Sequence, residues 1–171
     1  MNAIAVAGPV SGRQLHKFGG SSLADVKCYL RVAGIMAEYS QPGDMMVVSA
    51  AGSTTNQLIN WLKLSQSDRL SAHQVQQTLR RYHSDLISGL LPPESAEPLI
   101  AEFIQDLERL AVLLDGKVDE VCYAEVVGHG EIWSARLMAA VLNHLDMQAA
   151  WLDARDFLRA ERAAQPQVDE G

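Results

Sequence analysis

Between Arg13 and Ala50 the chain passes from a short apolar run through a double glycine into a helical pattern, turns at Pro42-Gly43-Asp44, and returns to an apolar run. Strand, glycine turn, helix, turn, strand is the signature of a βαβ unit, in which a crossover helix sets two parallel strands side by side. Arg13 to Phe18 reads as the first strand. Leu23, Val26, Leu30, Ala33 and Ala37 then recur at steps of three and four, and Ser22 with Asp25 forms a capping-box pattern, so a helix is expected from about Ser22 to Tyr39. Met45 to Ala50 is a continuous apolar run suited to a buried strand. An α/β fold is the expectation.

From Thr55 the pattern is helical for a long way. Leu58 and Leu62 mark a first segment, and Val75, Leu79, Tyr82, Leu86 and Leu90 a second that starts at Ser71 with Gln74. Pro92 and Pro93 interrupt the chain, and Leu99, Phe103, Leu107, Leu110 and Leu114 mark a further helix ending near Asp115 and Gly116. These middle helices read as scaffold. A last long helix is expected over about Asp119 to Leu145, then a strand at Gln148 to Leu152 and a short helix from Asp153. Residues 1–12 read as a flexible leading segment and residues 163–171 as a frayed or truncated end.

Charge narrows the partners. Fourteen basic against 21 acidic residues give a net charge of -7 in 171 residues, which argues against nucleic acid and against an anionic membrane surface. Any phosphate is therefore bound locally. Cys28 and Cys122 fit no metal or disulfide spacing. No stretch approaches the ~20 apolar residues of a membrane span, and no signal peptide is visible, so the cytoplasm is the expected compartment.

Three segments carry candidate chemistry. In Lys17-Phe18-Gly19-Gly20-Ser21-Ser22 a strand delivers a lysine into a glycine turn at a helix start, where backbone N–H groups and one full positive charge can meet an anion. A bare Gly-Gly pair is accounted for by relief of backbone strain; the lysine and the serines are not. The spacing is neither a Walker A loop nor a GxGxxG fingerprint. In the second segment Ser49 lies at the carboxyl end of a buried strand, where ligands of open α/β sheets collect, and Gly52 provides a turn. Thr54 with Gln57 reads as a helix cap, which leaves the hydroxyls of Ser49 and Thr55 free for a carboxylate or phosphate.

The third segment is Gly128-His129-Gly130-Glu131-Ile132-Trp133-Ser134. Spacing from Ala124, Val127, Met138 and Val141 places Glu131 and Ser134 on the apolar face of the long helix. A carboxylate there needs a cation, from a protein side chain such as Arg136 or from the ammonium of a ligand. Gly128 and Gly130 each cost a helix interior about 1 kcal/mol relative to alanine, which suggests close approach by a neighbour. The histidines form no metal motif, and a magnesium ion arriving with a nucleotide needs no dedicated protein cage.

Together KFGGSSLAD, VVSAAGSTTN and VGHGEIWSARLMA, in this order, resemble the aspartate kinases of the amino acid kinase superfamily, from about Gln14 to Asp153. The wider sequence is most similar to the kinase end of its bifunctional members. The resemblance implies a three-layer α/β/α sandwich of the carbamate kinase-like type, of which residues 13–162 supply only the N-terminal part. It implies transfer of the γ-phosphoryl group of ATP, the co-substrate carried with Mg2+, to the side-chain carboxylate of L-aspartate, giving 4-phospho-L-aspartate on the way to lysine, threonine and methionine. Carried across by position, Lys17 would bind phosphate and stabilise the transition state, Gly19, Gly20 and Ser21 would line the phosphate path, Ser49 and Thr55 would contact aspartate, and Glu131 would take its ammonium. The intact protein would be a homo-oligomer. No resident metal or prosthetic group is implied.

Family members continue into a second half with most of the nucleotide pocket, then regulatory domains and, in the bifunctional members, a homoserine dehydrogenase. These parts would lie beyond Gly171, so this chain is expected to hold much of the amino-acid site but only part of the ATP site. A truncated, non-catalytic module that binds an amino acid or a sister subunit is therefore the alternative, and a kinase for another amino acid or small acid is a third reading.

Overall fold

The computed structural model describes residues 12–158. The readings on the leading segment before Gly12 and on the chain end from 163 lie outside these residues. In order the elements are β1 (Leu15–Phe18), a 3-10 turn (Gly20–Leu23), α1 (Val26–Tyr39), β2 (Met45–Val48), α2 (Thr54–Ser65), α3 (Arg69–Leu90), α4 (Pro93–Leu114), α5 (Glu120–His144) and a last 3-10 turn (Ala154–Asp156).

The βαβ order forms as expected, but β2 ends at Val48 and is half-buried on one face only, not the fully buried strand expected over Met45 to Ala50. Strands β1 and β2 pair in parallel, with Leu15 opposite Met45 and Phe18 opposite Val48. Asp44 fixes the start of this register by accepting the backbone N–H groups of Gln14 at 2.7 Å and Gln41 at 2.9 Å. Alternation then sorts the strands by face. Phe18, Met46 and Val48 pack onto the helical core, while Leu15, Lys17, Met45 and Val47 are exposed on the other face.

Several local expectations are corrected. The first helix does not run from Ser22. Ser22 lies in the 3-10 turn, and Asp25 is the cap of α1, its carboxylate accepting the N–H of Cys28 at 2.8 Å. Helix α3 starts before Ser71: Asp68 caps it by accepting from the N–H groups of Leu70 and Ser71, both at 3.1 Å. An acid two or three residues upstream competes better for these donors than a serine inside the first turn.

The stretch Gln148 to Leu152 is not a strand. Asp146 and Gln148 have positive φ, 60° and 50°, and the side chain of Asn143 clamps Ala149 by accepting its N–H at 2.8 Å and donating to its carbonyl at 2.7 Å. A β ladder needs a neighbouring strand, and the sheet of the described residues contains β1 and β2 alone.

The core runs through all five helices. Tyr29 and Val32 of α1, Leu58 and Trp61 of α2, Leu79 and Leu86 of α3, Leu107 and Leu110 of α4, and Val126 and Met138 of α5 join one cluster. Ala124, expected on the inner face of α5, is exposed; over that half of the helix Cys122, Val126 and His129 point inward instead. No helix among the described residues is long and apolar enough to cross a membrane.

Candidate functional site

The Lys17 segment forms one wall of the site. Lys17 stands on the uncovered face of β1 and belongs to no ion pair among the described residues. Gly19 begins the 3-10 turn, and its Cα faces the lysine: a Cβ there would sit 3.8 Å from Lys17 Nζ. Gly20 is required by close approach. A Cβ on it would lie 2.7 Å from the carbonyl oxygen of Ala50 and 3.3 Å from that of Gly52, with Ser49 Oγ at 3.8 Å. Ser21 is exposed, and the N–H groups of Gly20 and Ser21 have no backbone acceptor among the described residues outside their own turn.

The loop after β2 forms the second wall and is bonded to the first. Ser49 N–H donates to Phe18 O at 3.0 Å, and Gly52 N–H donates to Gly20 O at 3.1 Å. Gly52 has φ of +54°, a left-handed conformation that favours glycine. Ser49 and Thr55 are half-buried. Thr54 is not the cap of α2. Ser53 precedes the helix, Gln57 Nε2 donates to Ser53 Oγ at 3.0 Å, and the fully buried Thr54 hydroxyl donates to Ala51 O at 2.7 Å. The first-turn N–H groups of Thr55 and Asn56 have no backbone acceptor outside the helix among the described residues.

Helix α5 closes the group. Gly130 lets the loop lie directly on the helix, since a Cβ there would meet Ala50 Cβ at 2.8 Å and Thr54 Cγ2 at 3.3 Å. A Cβ on Gly128 would meet no atom of another element within 4 Å among the described residues, so close approach explains one of the two glycines and not the other. Glu131 Oε1 accepts the backbone N–H of Ala50 at 3.2 Å. Arg136 is not its partner; it pairs with Asp106 at 2.7 Å and Glu102 at 3.2 Å. Ser134, on the same face, is fully engaged with the hydroxyl of Tyr29 at 2.6 Å, and burial raises that phenol's pKa. The three sequence segments thus meet at Gly20, Ala50 and Glu131.

Behind the site, α4 and α5 are joined by a second polar cluster. Asp106 accepts from Arg109 at 3.1 Å, from Trp133 Nε1 at 3.1 Å and from Arg136 at 2.7 Å. Burial works against its carboxylate, but these donors together hold its pKa below the ordinary value. His129 is fully buried; its Nδ1 lies 2.6 Å from Glu125 O and its Nε2 2.7 Å from Arg109. Arginine only donates, so the imidazole proton sits on Nδ1.

Sequence reasoning missed Tyr82 and His83 of α3, which touch both loops. Tyr82 Oη donates to Ala24 O at 3.0 Å, and His83 Nε2 lies 3.0 Å from Thr54 Oγ1. The signal was a histidine four residues after Leu79 and four before Ile87, on the apolar stripe.

Glycine turns facing one another at the carboxyl ends of parallel strands, backed by helices, define an α/β fold with its loops at the strand ends where ligands of open α/β sheets collect. The chain belongs to the amino acid kinase family, whose sequence model matches residues 12–170. It is 80% identical over 171 residues to the bifunctional aspartokinase/homoserine dehydrogenase 2 of Escherichia coli (strain K12), covering 100% of this chain and 21% of that protein. Over 160 residues it is 28% identical to the chloroplastic bifunctional aspartokinase/homoserine dehydrogenase 1 of Arabidopsis thaliana, covering 91% of this chain and 18% of that one. The fold matches that of E. coli aspartokinase III crystallised with aspartate and ADP, with a TM-score of 0.81 and 24% identity over 92% of this chain and 35% of that one. The chain therefore spans about a fifth of the length of its bifunctional relatives.

Proposed function

We propose that this chain forms the amino-acid side of an aspartokinase site, which transfers the γ-phosphoryl group of Mg-ATP to the side-chain carboxylate of L-aspartate. The observation that carries the reading is the meeting of Gly20, Ala50 and Glu131 in a chain 80% identical to a bifunctional aspartokinase. A carboxylate oxygen of aspartate forms a bond to the γ-phosphorus, the bond from that phosphorus to the β-bridging oxygen breaks, and ADP leaves with the electron pair. The nucleophile is already ionised at neutral pH, so the site needs no general base; its work is positioning and neutralising charge.

Each residue then has a task. Lys17, which pairs with no carboxylate among the described residues, spreads positive charge over the transferring oxygens, and the turn at Gly19, Gly20 and Ser21 offers N–H groups along the phosphate path. Ser49 and Thr55 present hydroxyls to aspartate. Glu131, fixed by Ala50 N–H, receives the substrate's ammonium, a cation its half-buried carboxylate does not find among the described residues.

The test is aspartate-dependent ADP release from Mg-ATP by this chain and by the chain joined to the remaining kinase segment of its E. coli relative. Activity of the joined protein, lost by about 10³-fold in Lys17→Ala with an unchanged melting temperature, is the expected result. A joined protein that folds yet releases no ADP with aspartate overturns the reading.

A further inference from the structure

The loops of the site are held from behind by side chains that belong to none of the three motifs. The Thr54 hydroxyl carries one proton, and Ala51 O can only accept, so the 2.7 Å bond between them consumes it. The 3.0 Å contact from His83 Nε2 to Thr54 Oγ1 then requires the imidazole proton on Nε2. His83 is 2% exposed and packs against both Phe103 and Trp133, with ring centroids 4.9 and 5.2 Å away, the two aromatic rings also touching each other at 4.8 Å. Its neighbours along the stripe, Leu79 and Ile87, are apolar, and a core role alone would be met by another apolar side chain.

The chain of bonds ends on a decisive group. The carbonyl of Ala51 and the N–H of Gly52 belong to one rigid peptide plane. Thr54 pins one end of that plane through its hydroxyl, and Gly20 O holds the other end at 3.1 Å. Two residues before Gly52, the N–H of Ala50 is the one that fixes Glu131. Tyr82 supports the opposite wall: its hydroxyl donates to Ala24 O, just after the 3-10 turn, and lies 2.9 Å from where a Cβ on Gly52 would be.

We propose that Tyr82 and His83 are positioning residues that set the spacing between the Gly20–Leu23 turn and the Ala50–Thr54 loop, His83 acting through Thr54 on the Ala51–Gly52 peptide. Neither touches the substrate. The proposal rests on the aspartokinase reading for its effect on aspartate, and on the bonding pattern alone for its effect on the loop.

Two readouts separate these. In the full chain, amide exchange at Gly52 is measured for His83→Phe, His83→Gln, Thr54→Val and Thr54→Ser, and the His83 tautomer is read by nitrogen-15 NMR. The apolar variants are expected to lose about tenfold in Gly52 protection, the size one net hydrogen bond supports, while amides inside α5 keep theirs; the Gln and Ser variants restore protection. In the chain joined to the remaining kinase segment, the same apolar variants raise the KM for aspartate about tenfold, with a smaller change in kcat.

Unchanged Gly52 protection in Thr54→Val, or an imidazole proton on Nδ1, overturns the proposal, and Thr54→Val decides it if His83→Phe does not fold. An inactive joined wild type removes the aspartokinase reading and leaves the Gly52 exchange to decide positioning alone.

Discussion

The loops around Lys17 and Glu131 and the cluster around Asp106 are both polar and both rest on α5, yet they are built in opposite ways. Asp106 receives three donors and is surrounded by arginines that find further carboxylates in Glu102 and Glu125. Lys17 has no carboxylate partner among the described residues, and Glu131 has one backbone donor and no cation. A densely paired cluster, in which Arg136 Nε is the one buried atom without a partner among the described residues, stabilises a fold, because removing one member leaves others buried and unpaired. Groups left open a few ångströms from fixed loops are what a ligand can complete. The difference separates scaffold from candidate site without reference to any relative.

The contrast is sharpest if the two carboxylates are neutralised in turn. Asp106→Ala is expected to lower the unfolding free energy by about 3 kcal/mol, the lower end of the range for a broken buried pair because Arg109 is half-exposed. Chemical denaturation measures this, and a loss below ~1 kcal/mol would remove the scaffold assignment. Glu131→Gln should leave stability within about 0.5 kcal/mol and weaken aspartate binding by roughly 10- to 100-fold, the value of a hydrogen bond to a charged group. Equal effects of both variants on stability would erase the comparison.

The glycines of α5 provide a smaller and more local test. Gly130→Ala forces a methyl group against Ala50 and should cost about 1 to 3 kcal/mol while displacing the loop that carries Ser49. Gly128→Ala meets no atom of another element within 4 Å among the described residues and should stabilise the helix by about 0.5 to 1 kcal/mol. Melting temperatures that move in the same direction for both would show that the loop does not rest on Gly130.

Acid titration probes the seam between the two regions, where His83 lies. Burial depresses its pKa from 6.5 to about 3, so the unfolded chain binds a proton that the folded chain refuses. Stability from this group is complete above about pH 6.5 and is lost as pH falls toward 3, by up to about 1.4 kcal/mol per pH unit. His83→Gln should flatten that slope by up to one proton between pH 6 and 4. Asp106, also held below its ordinary pKa, adds loss only at pH values under about 4.

The βαβ start was legible because it is written locally: apolar runs, a glycine pair and a three-and-four periodicity occupy neighbouring positions. Helix caps were less so. Asp25 and Asp68 displaced the serines expected in those roles, and Thr54 turned its hydroxyl to Ala51 rather than to its own helix. The strand expected at Gln148 to Leu152 shows the same limit in another form, since apolar content there does not supply a neighbouring strand to pair with.

For the site, the residue types in the three segments were enough to expect an anion at Lys17 and a cation at Glu131, and to infer the family. What joins them was not. The bond from Ala50 to Glu131 spans 81 positions, that from Tyr29 to Ser134 spans 105, and that from Thr54 to His83 spans 29. Local sequence determines φ/ψ preferences, caps and which face of an element is apolar. Which buried polar group finds which partner is decided when the helices pack, because each must satisfy its hydrogen bonds with whatever the tertiary structure brings within 3 Å.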